Sequence, residues 1–161
     1  MVTIINAPQP YVLNKFSVFL AGSIENGNAE RWQDRVIGAL KNEQIALINP
    51  RRWKWDDTWK QSIDNPMFKD QVEWELDGLD KADLIVMYFD PSTKSPISLL
   101  ELGLFANSKK IVVCCPNGFW RKGNVDIVCK RYGIPQVNSI ENLINEIKRK
   151  QYESTTINRR I

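Results

Sequence analysis

Two glutamates stand where the hydrophobic pattern asks for apolar side chains. Glu101 lies in the run Ser95-Pro-Ile-Ser-Leu-Leu-Glu101-Leu-Gly-Leu-Phe-Ala106, where Ser95 suits an N-cap and Pro96 the first helical position. Helical spacing puts Ile97, Leu104 and Phe105 on the side of Glu101, at minus four, plus three and plus four. Glu75 falls in the same way inside the stripe Phe68, Val72, Leu76 and Leu79. A carboxylate is seldom placed on a buried face unless it is paired or has work to do. The plain alternative is a solvated helix glutamate at the edge of the core. Two such acids suffice for glycosyl transfer. One ionised carboxylate attacks an anomeric carbon and forms a covalent sugar ester, which a second acceptor resolves. Another acid, or a hydrogen-bond network, helps the leaving group depart.

Composition narrows the alternatives. The chain has 161 residues, the size of one domain with a real core, and 43% apolar and 25% charged residues, the balance of a globular protein. Histidine is absent, which excludes a Ser-His-Asp triad, a Cys-His pair and every histidine-containing zinc site. Of the three cysteines, Cys114 and Cys115 are adjacent and Cys129 stands apart, so no zinc-ligand spacing exists and a disulfide scaffold is disfavoured. Neither G-x-G-x-x-G after the first strand nor G-x-x-x-x-G-K-[ST] occurs, against dinucleotide and P-loop sites. No metal and no cofactor are expected. The formal charge of +3 gathers partly in Lys148-Arg-Lys150 and Arg159-Arg160, which read as solvated, and no nucleic-acid module is present. No apolar run reaches the ~20 residues of a membrane span and no signal-peptide pattern opens the chain, so a cytoplasmic protein is expected.

The elements that must hold the two acids alternate along the chain. Strands are predicted over 16–20, 45–48, 84–89, 111–115 and 134–137, and helices over 29–42, 67–81, 97–107, 123–131 and 140–150. Trp32, Val36, Ile37 and Leu40 form the stripe of the first helix. Residues 1–14 read as an N-terminal extension, 15–150 as the domain and 151–161 as a C-terminal tail. The connection from Arg51 to Asn65 carries Trp53, Trp55 and Trp59. Loops of that length are lids or binding loops, unless the indoles cover a core edge or a subunit interface.

Five strands alternating with helices imply a doubly wound, flavodoxin-like α/β fold: a five-stranded parallel sheet of order 2-1-3-4-5 with helices on both faces. Ligands of such sheets bind beyond the strand C-termini where the order reverses, between the first and third strands. Ala21, Gly22 and Ser23 end the first strand there, and Asp90 to Ser95 follow the third. Glu101 sits in the second turn of the helix that starts at that crevice.

Three segments, Phe19-Leu-Ala-Gly-Ser-Ile24, Glu75-Leu-Asp-Gly-Leu-Asp-Lys-Ala-Asp83 and Leu100-Glu-Leu-Gly-Leu104, make the chain resemble the nucleoside 2-deoxyribosyltransferase superfamily from about Val18 to Pro135. The resemblance implies that Glu101 is the nucleophile attacking C1′ of the sugar. It implies that Glu75, at a position commonly aspartate, orients the sugar or assists the leaving base. Gly22 and Ser23 would line the nucleoside pocket. Asn124 would contact the sugar 5′ side in a neighbouring subunit's site, so the protein would at least dimerise and share its active sites. Its partners would be a small nucleoside or nucleotide and a free base.

Some positions depart from that pattern. Six residues before the nucleophile many transferases carry an aspartate that contacts the base, whereas this chain has Ser95. In similar nucleoside-monophosphate N-glycosidases a serine there contacts the 5′-phosphate. The glycine often found between the two positions is replaced by Ile97 and Ser98, and the chain ends in Asn-Arg-Arg-Ile161 rather than an aromatic residue. Arg51, Arg52 and Lys122 are basic candidates for a phosphate that as loop residues are more often solvated. Three readings follow: a base-exchanging N-deoxyribosyltransferase, an N-glycosidase releasing base from a nucleoside 5′-monophosphate, and a non-catalytic nucleotide-binding module.

Overall fold

The computed structural model describes residues 1–25, 29–52, 56 and 58–158. Six strands lie in one sheet: β1 (Thr3–Asn6), β2 (Phe16–Gly22), β3 (Ile45–Asn49), β4 (Leu84–Tyr88), β5 (Ile111–Cys114) and β6 (Gln136–Val137). All pairings are parallel and the order is β1-β3-β2-β4-β5-β6. Five helices, α1 (Trp32–Ala39), α2 (Pro66–Lys81), α3 (Pro96–Phe105), α4 (Lys122–Tyr132) and α5 (Ile140–Asn158), connect or follow the strands.

The long apolar runs form the middle of the sheet because both faces are covered. β3, β4 and β5 are buried along their whole length. Side chains alternate between two cores. Phe19, Ala21, Ile48, Ile85, Met87 and Val113 pack with Leu79 of α2, Leu102 of α3 and Val125 and Cys129 of α4. Val18, Leu20, Leu47, Val86 and Val112 pack with Trp32 and Val36 of α1 and Leu143 and Ile147 of α5. Three helices therefore cover one face and two the other.

The expected five-stranded sheet is six-stranded. β1 comes from the segment read as an extension and pairs with β3, Thr3 beside Ala46 and Asn6 beside Asn49. An edge strand needs little burial, and of its four residues Ile5 alone is buried, so no alternation announces it. Without β1, the other strands have the expected 2-1-3-4-5 order. The same segment then straps α2. The Tyr11 hydroxyl donates to the Trp74 carbonyl at 2.5 Å, the two rings stack 5.0 Å apart, and Trp74 Nε1 donates to the Gln9 carbonyl at 2.7 Å. At the other end, α5 continues past its expected stop at residue 150 to Asn158.

Two helices turn a different face inward from the one their apolar residues suggest. In α2, capped by Asn65 and opened by Pro66, the buried residues are Gln71, Gly78 and Leu79, while Phe68, Val72 and Leu76 are only partly buried. Gly78 sets this face. A β-carbon there would lie 2.5 Å from the Tyr11 hydroxyl and 2.7 Å from the Phe19 ring, so helix and sheet touch where there is no side chain. In α3 the inward residues are Ser98, Glu101 and Leu102. Ile97 and Leu104, expected beside Glu101 in the core, are each 59% exposed, with Leu100 at 58%; Phe105 is partly buried. This helix is apolar nearly all round, so periodicity cannot choose its inner face.

Candidate active site

The crevice expected at the order reversal is built by two loops stitched together. β2 ends in Gly22 at φ +119°, pressed so closely on Tyr88 that a β-carbon would lie 2.4 Å from the Tyr88 carbonyl oxygen. No other residue fits that turn. Ser23 N–H then donates to the same carbonyl at 2.9 Å. The Ser23, Thr93 and Ser95 hydroxyls form a buried triangle, with Oγ–Oγ 2.6 Å between the serines and 3.0 and 2.8 Å to Thr93 Oγ1. Ser23 Oγ also accepts from the Asp90 N–H at 2.8 Å. The Asp90 carboxylate is engaged as well, by Ser92 N–H and hydroxyl and by the Glu30 N–H. Burial opposes its ionisation, but these hydrogen bonds outweigh it and hold the carboxyl below the ordinary aspartate range.

Glu101 is 9% exposed and has no hydrogen-bond or ion-pair partner among the described residues. Burial, reinforced by the charge of Glu75, pushes its carboxyl up to about 8. Glu75 lies on the inward stripe of α2, four residues after Gln71 and three before Gly78. Burial raises it to about 7, against the opposing pull of Gln71 and Arg52. Gln71 Nε2 donates to Glu75 Oε1 at 2.7 Å, and Arg52 Nε donates to Gln71 Oε1 at 2.6 Å. The Arg52 guanidinium rests 4.9 Å from the Trp59 ring centre. Both carboxyls are thus held above the ordinary glutamate range, the direction that suits proton transfer, while nucleophilic attack requires the ionised form.

The remaining candidates fall elsewhere. Asn124 is exposed on α4 with no side-chain hydrogen bond among the described residues. Trp53 and Trp55 lie outside the described residues. Arg51, expected to be solvated, is 7% exposed and donates to the carbonyls of Ala29 and Glu30, each at 2.9 Å, pinning the loop before α1. Lys122 pairs with Asp126 at 3.0 Å. Sequence reasoning passed over Gln71, Thr93 and Glu25. Gln71 carried a usable signal, since it stands one helical turn before Glu75.

A cavity of about 560 Å³ opens beyond β5 and β6, lined among others by Cys115, Asn117, Asp126 and Asn142, and includes neither glutamate. Its charged lining pair is already satisfied, so the chemistry is argued from the carboxylates and not from that hollow. The thiols of Cys114 and Cys115 are pushed up to about 11 and that of Cys129 to about 12 by burial, which makes none of them a thiolate nucleophile near neutrality. No cluster of three metal-ligating side chains occurs among the described residues, and none of their helices is long and apolar enough to cross a membrane.

Residues 15–119 match the protein family described as nucleoside 2-deoxyribosyltransferase like, a span that includes Ser23, Glu75, Ser95 and Glu101 but not Asn124. Among solved structures, a conserved protein from Enterococcus faecalis V583 is similar at 15% identity and TM-score 0.59, over 84% of this chain and 99% of that one. The Clostridium botulinum CMP N-glycosidase BcmB is similar at 15% identity and TM-score 0.52, over 82% and 98%. At such identity the likeness is one of fold. No curated protein matches the chain.

Proposed function

Because the chain belongs to the nucleoside 2-deoxyribosyltransferase-like family, we propose that it exchanges the base of 2′-deoxynucleosides, with Glu101 as nucleophile and Glu75 assisting. The observation that carries this reading is the nearly buried, unpartnered Glu101 carboxyl. Its oxygens are not sealed from water and carry no protein hydrogen bond among the described residues, so they are free to meet a substrate.

The steps balance without further reagents. The Glu101 carboxylate forms a C–O bond to C1′ as the C1′–N bond breaks, and the electron pair leaves with the base. A proton held at Glu75 is the one available to the departing nitrogen. A nitrogen of the second base then attacks C1′, gives its proton to the site and frees the carboxylate. Charge developing at C1′ favours ionised Glu101, and a protonated Glu75 removes the repulsion that otherwise raises it. Arg52, through Gln71, keeps the Glu75 carboxyl in one orientation.

A second copy of the chain completes the proposed enzyme. Ile97, Leu100 and Leu104 form an exposed apolar stripe on the outer side of the helix that carries Glu101. A homo-oligomer would cover that stripe, and Asn124, exposed on α4, is the residue we propose reaches a neighbouring subunit's site.

The second reading is hydrolysis of a nucleoside 5′-monophosphate, favoured by Ser95 at the start of α3 and by the fold likeness to a CMP N-glycosidase. Chromatography of a deoxynucleoside with and without a second free base separates the readings. A new nucleoside supports transfer, and free base alone supports hydrolysis. No product from nucleosides or monophosphates overturns both and leaves a binding module.

A further inference from the structure

The N-terminal end of α3 already holds an anion, and it comes from the chain itself. Glu25, just past the Gly22-Ser23 turn, reaches across the crevice. Its Oε1 accepts hydrogen bonds from the backbone N–H groups of Lys94 at 3.0 Å and Ser95 at 2.5 Å. Both ends of this contact have left-handed backbone, φ +48° at Glu25 and +47° at Ser95, a conformation non-glycine residues adopt only when their surroundings impose it. The Ser95 side chain makes no cap bond to its own helix, because Ser23 and Thr93 engage its hydroxyl. The Glu25 carboxylate therefore meets the N–H groups of the N-cap residue and of the residue before it, beside the positive end of the helix, where a phosphate would otherwise be drawn.

Two cations stack on one indole, and neither forms an ion pair with Glu25 among the described residues. Lys94 Nζ lies 4.4 Å from the Trp120 ring centre, and the Arg121 guanidinium lies 4.3 Å from the same ring. Six residues of helix, at ~1.5 Å each, separate Ser95 from Glu101 by about 9 Å along the axis. That is the scale of the reach from a carboxylate at C1′, across a furanose, to a group on the 5′ carbon.

We propose that Glu25 is a specificity-determining residue: its carboxylate occupies the anion seat at the start of α3 and restricts the site to substrates with an uncharged 5′ end. The inference rests on the reading of Glu101 as the sugar-binding nucleophile, and it makes nucleosides, not 5′-monophosphates, the substrate class. A 5′-hydroxyl can share a hydrogen bond with the carboxylate, whereas a phosphate meets a like charge on the donors it needs.

Two measurements on wild type, Glu25→Gln and Glu25→Ala test it. The first is the ratio of kcat/KM for a deoxynucleoside over its 5′-monophosphate. It should favour the nucleoside in wild type and shift towards the monophosphate by about tenfold in either variant, the upper range for one charge at a helix terminus. The second is the melting temperature in inorganic phosphate against chloride at matched ionic strength. Phosphate should stabilise the two variants and leave wild type unmoved. An unchanged ratio in folded variants, with phosphate acting on all three proteins alike, overturns the role of Glu25 while leaving glycosyl transfer intact. Absence of turnover in all three, with phosphate stabilising only the variants, supports the anion seat and overturns the reaction instead.

Discussion

Gln71 is bonded on both sides: its Nε2 donates 2.7 Å to Glu75, and its Oε1 accepts 2.6 Å from Arg52. A buried amide with both ends engaged cannot rotate, so it fixes the geometry of Glu75 and stabilises that residue's charged form. Gln71→Met keeps the length and removes the donor. Glu75 should then titrate about one unit higher, and the pH–rate limb that reports it should move up by the same amount. A limb that stays in place would assign it to another group.

Glu101→Gln should lower kcat by about 10³-fold or more with substrate binding retained, because the lost interaction exists only along the reaction path. Mass spectrometry after incubation with a 2-fluoro substrate analogue should find a sugar ester on Glu101 in wild type and none in the variant. Glu75→Gln should cost about 10²–10⁴-fold if Glu75 gives the base its proton, and little if it only sits at the core edge.

The same glutamine should make the protein more stable at high pH. Burial raises the Glu101 carboxyl to about 8, above its unfolded value, so the folded chain binds more protons across that window. Wild-type stability therefore falls as pH rises from about 4.5 to 8, as this one group must ionise in place. At about 1.4 kcal/mol per unit over that window, Glu101→Gln should gain up to about 5 kcal/mol over wild type above pH 8 and nothing below pH 4. Denaturant melts at pH 4 and pH 9 measure the difference; equal shifts at both pH values would contradict it.

Leu104→Glu places a charge in the exposed stripe of α3. Sedimentation should show an assembly in wild type and a smaller species in the variant, with activity falling alongside and thermal stability of the monomer preserved. A wild-type protein that sediments as a monomer at micromolar concentration would remove the shared-site arrangement.

The middle of this fold was legible because a parallel strand covered on both faces is apolar nearly throughout, and 45–48, 84–89 and 111–115 are, with Ser17 the one polar residue of 16–20. β1 was not, since an edge strand with one buried residue has no pattern to show. Glu75 and Glu101 stood out as carboxylates among apolar neighbours, but the stripes that singled them out are not the buried faces: Ile97 and Leu104 beside Glu101 are exposed. Their surroundings were not legible. Gly78 chose the inner face of α2 through a close approach to Phe19 and Tyr11, a tertiary contact with no local signal. Ile97 and Leu104 pointed outward because α3 has apolar residues to spare. Glu25 was invisible for a related reason: its partner lies 70 residues along the chain and is backbone, which every residue offers alike.

The strap formed by residues 3–11 has a consequence for the order of assembly during synthesis. Thr3 pairs beside Ala46 and Gln9 bonds to Trp74, so the segment leaves the ribosome well before its partners exist. At ~5–20 residues per second, the contact with Trp74 is delayed by several seconds. Ile4 and Ile5 wait for β3 and the Tyr11 ring waits for α2, and until β1 docks the open edge of β3 can recruit a strand from another chain. The helix that carries Glu75 packs on the sheet through Gly78 and Leu79, but its bracing at Trp74 is added only when that early segment returns to it.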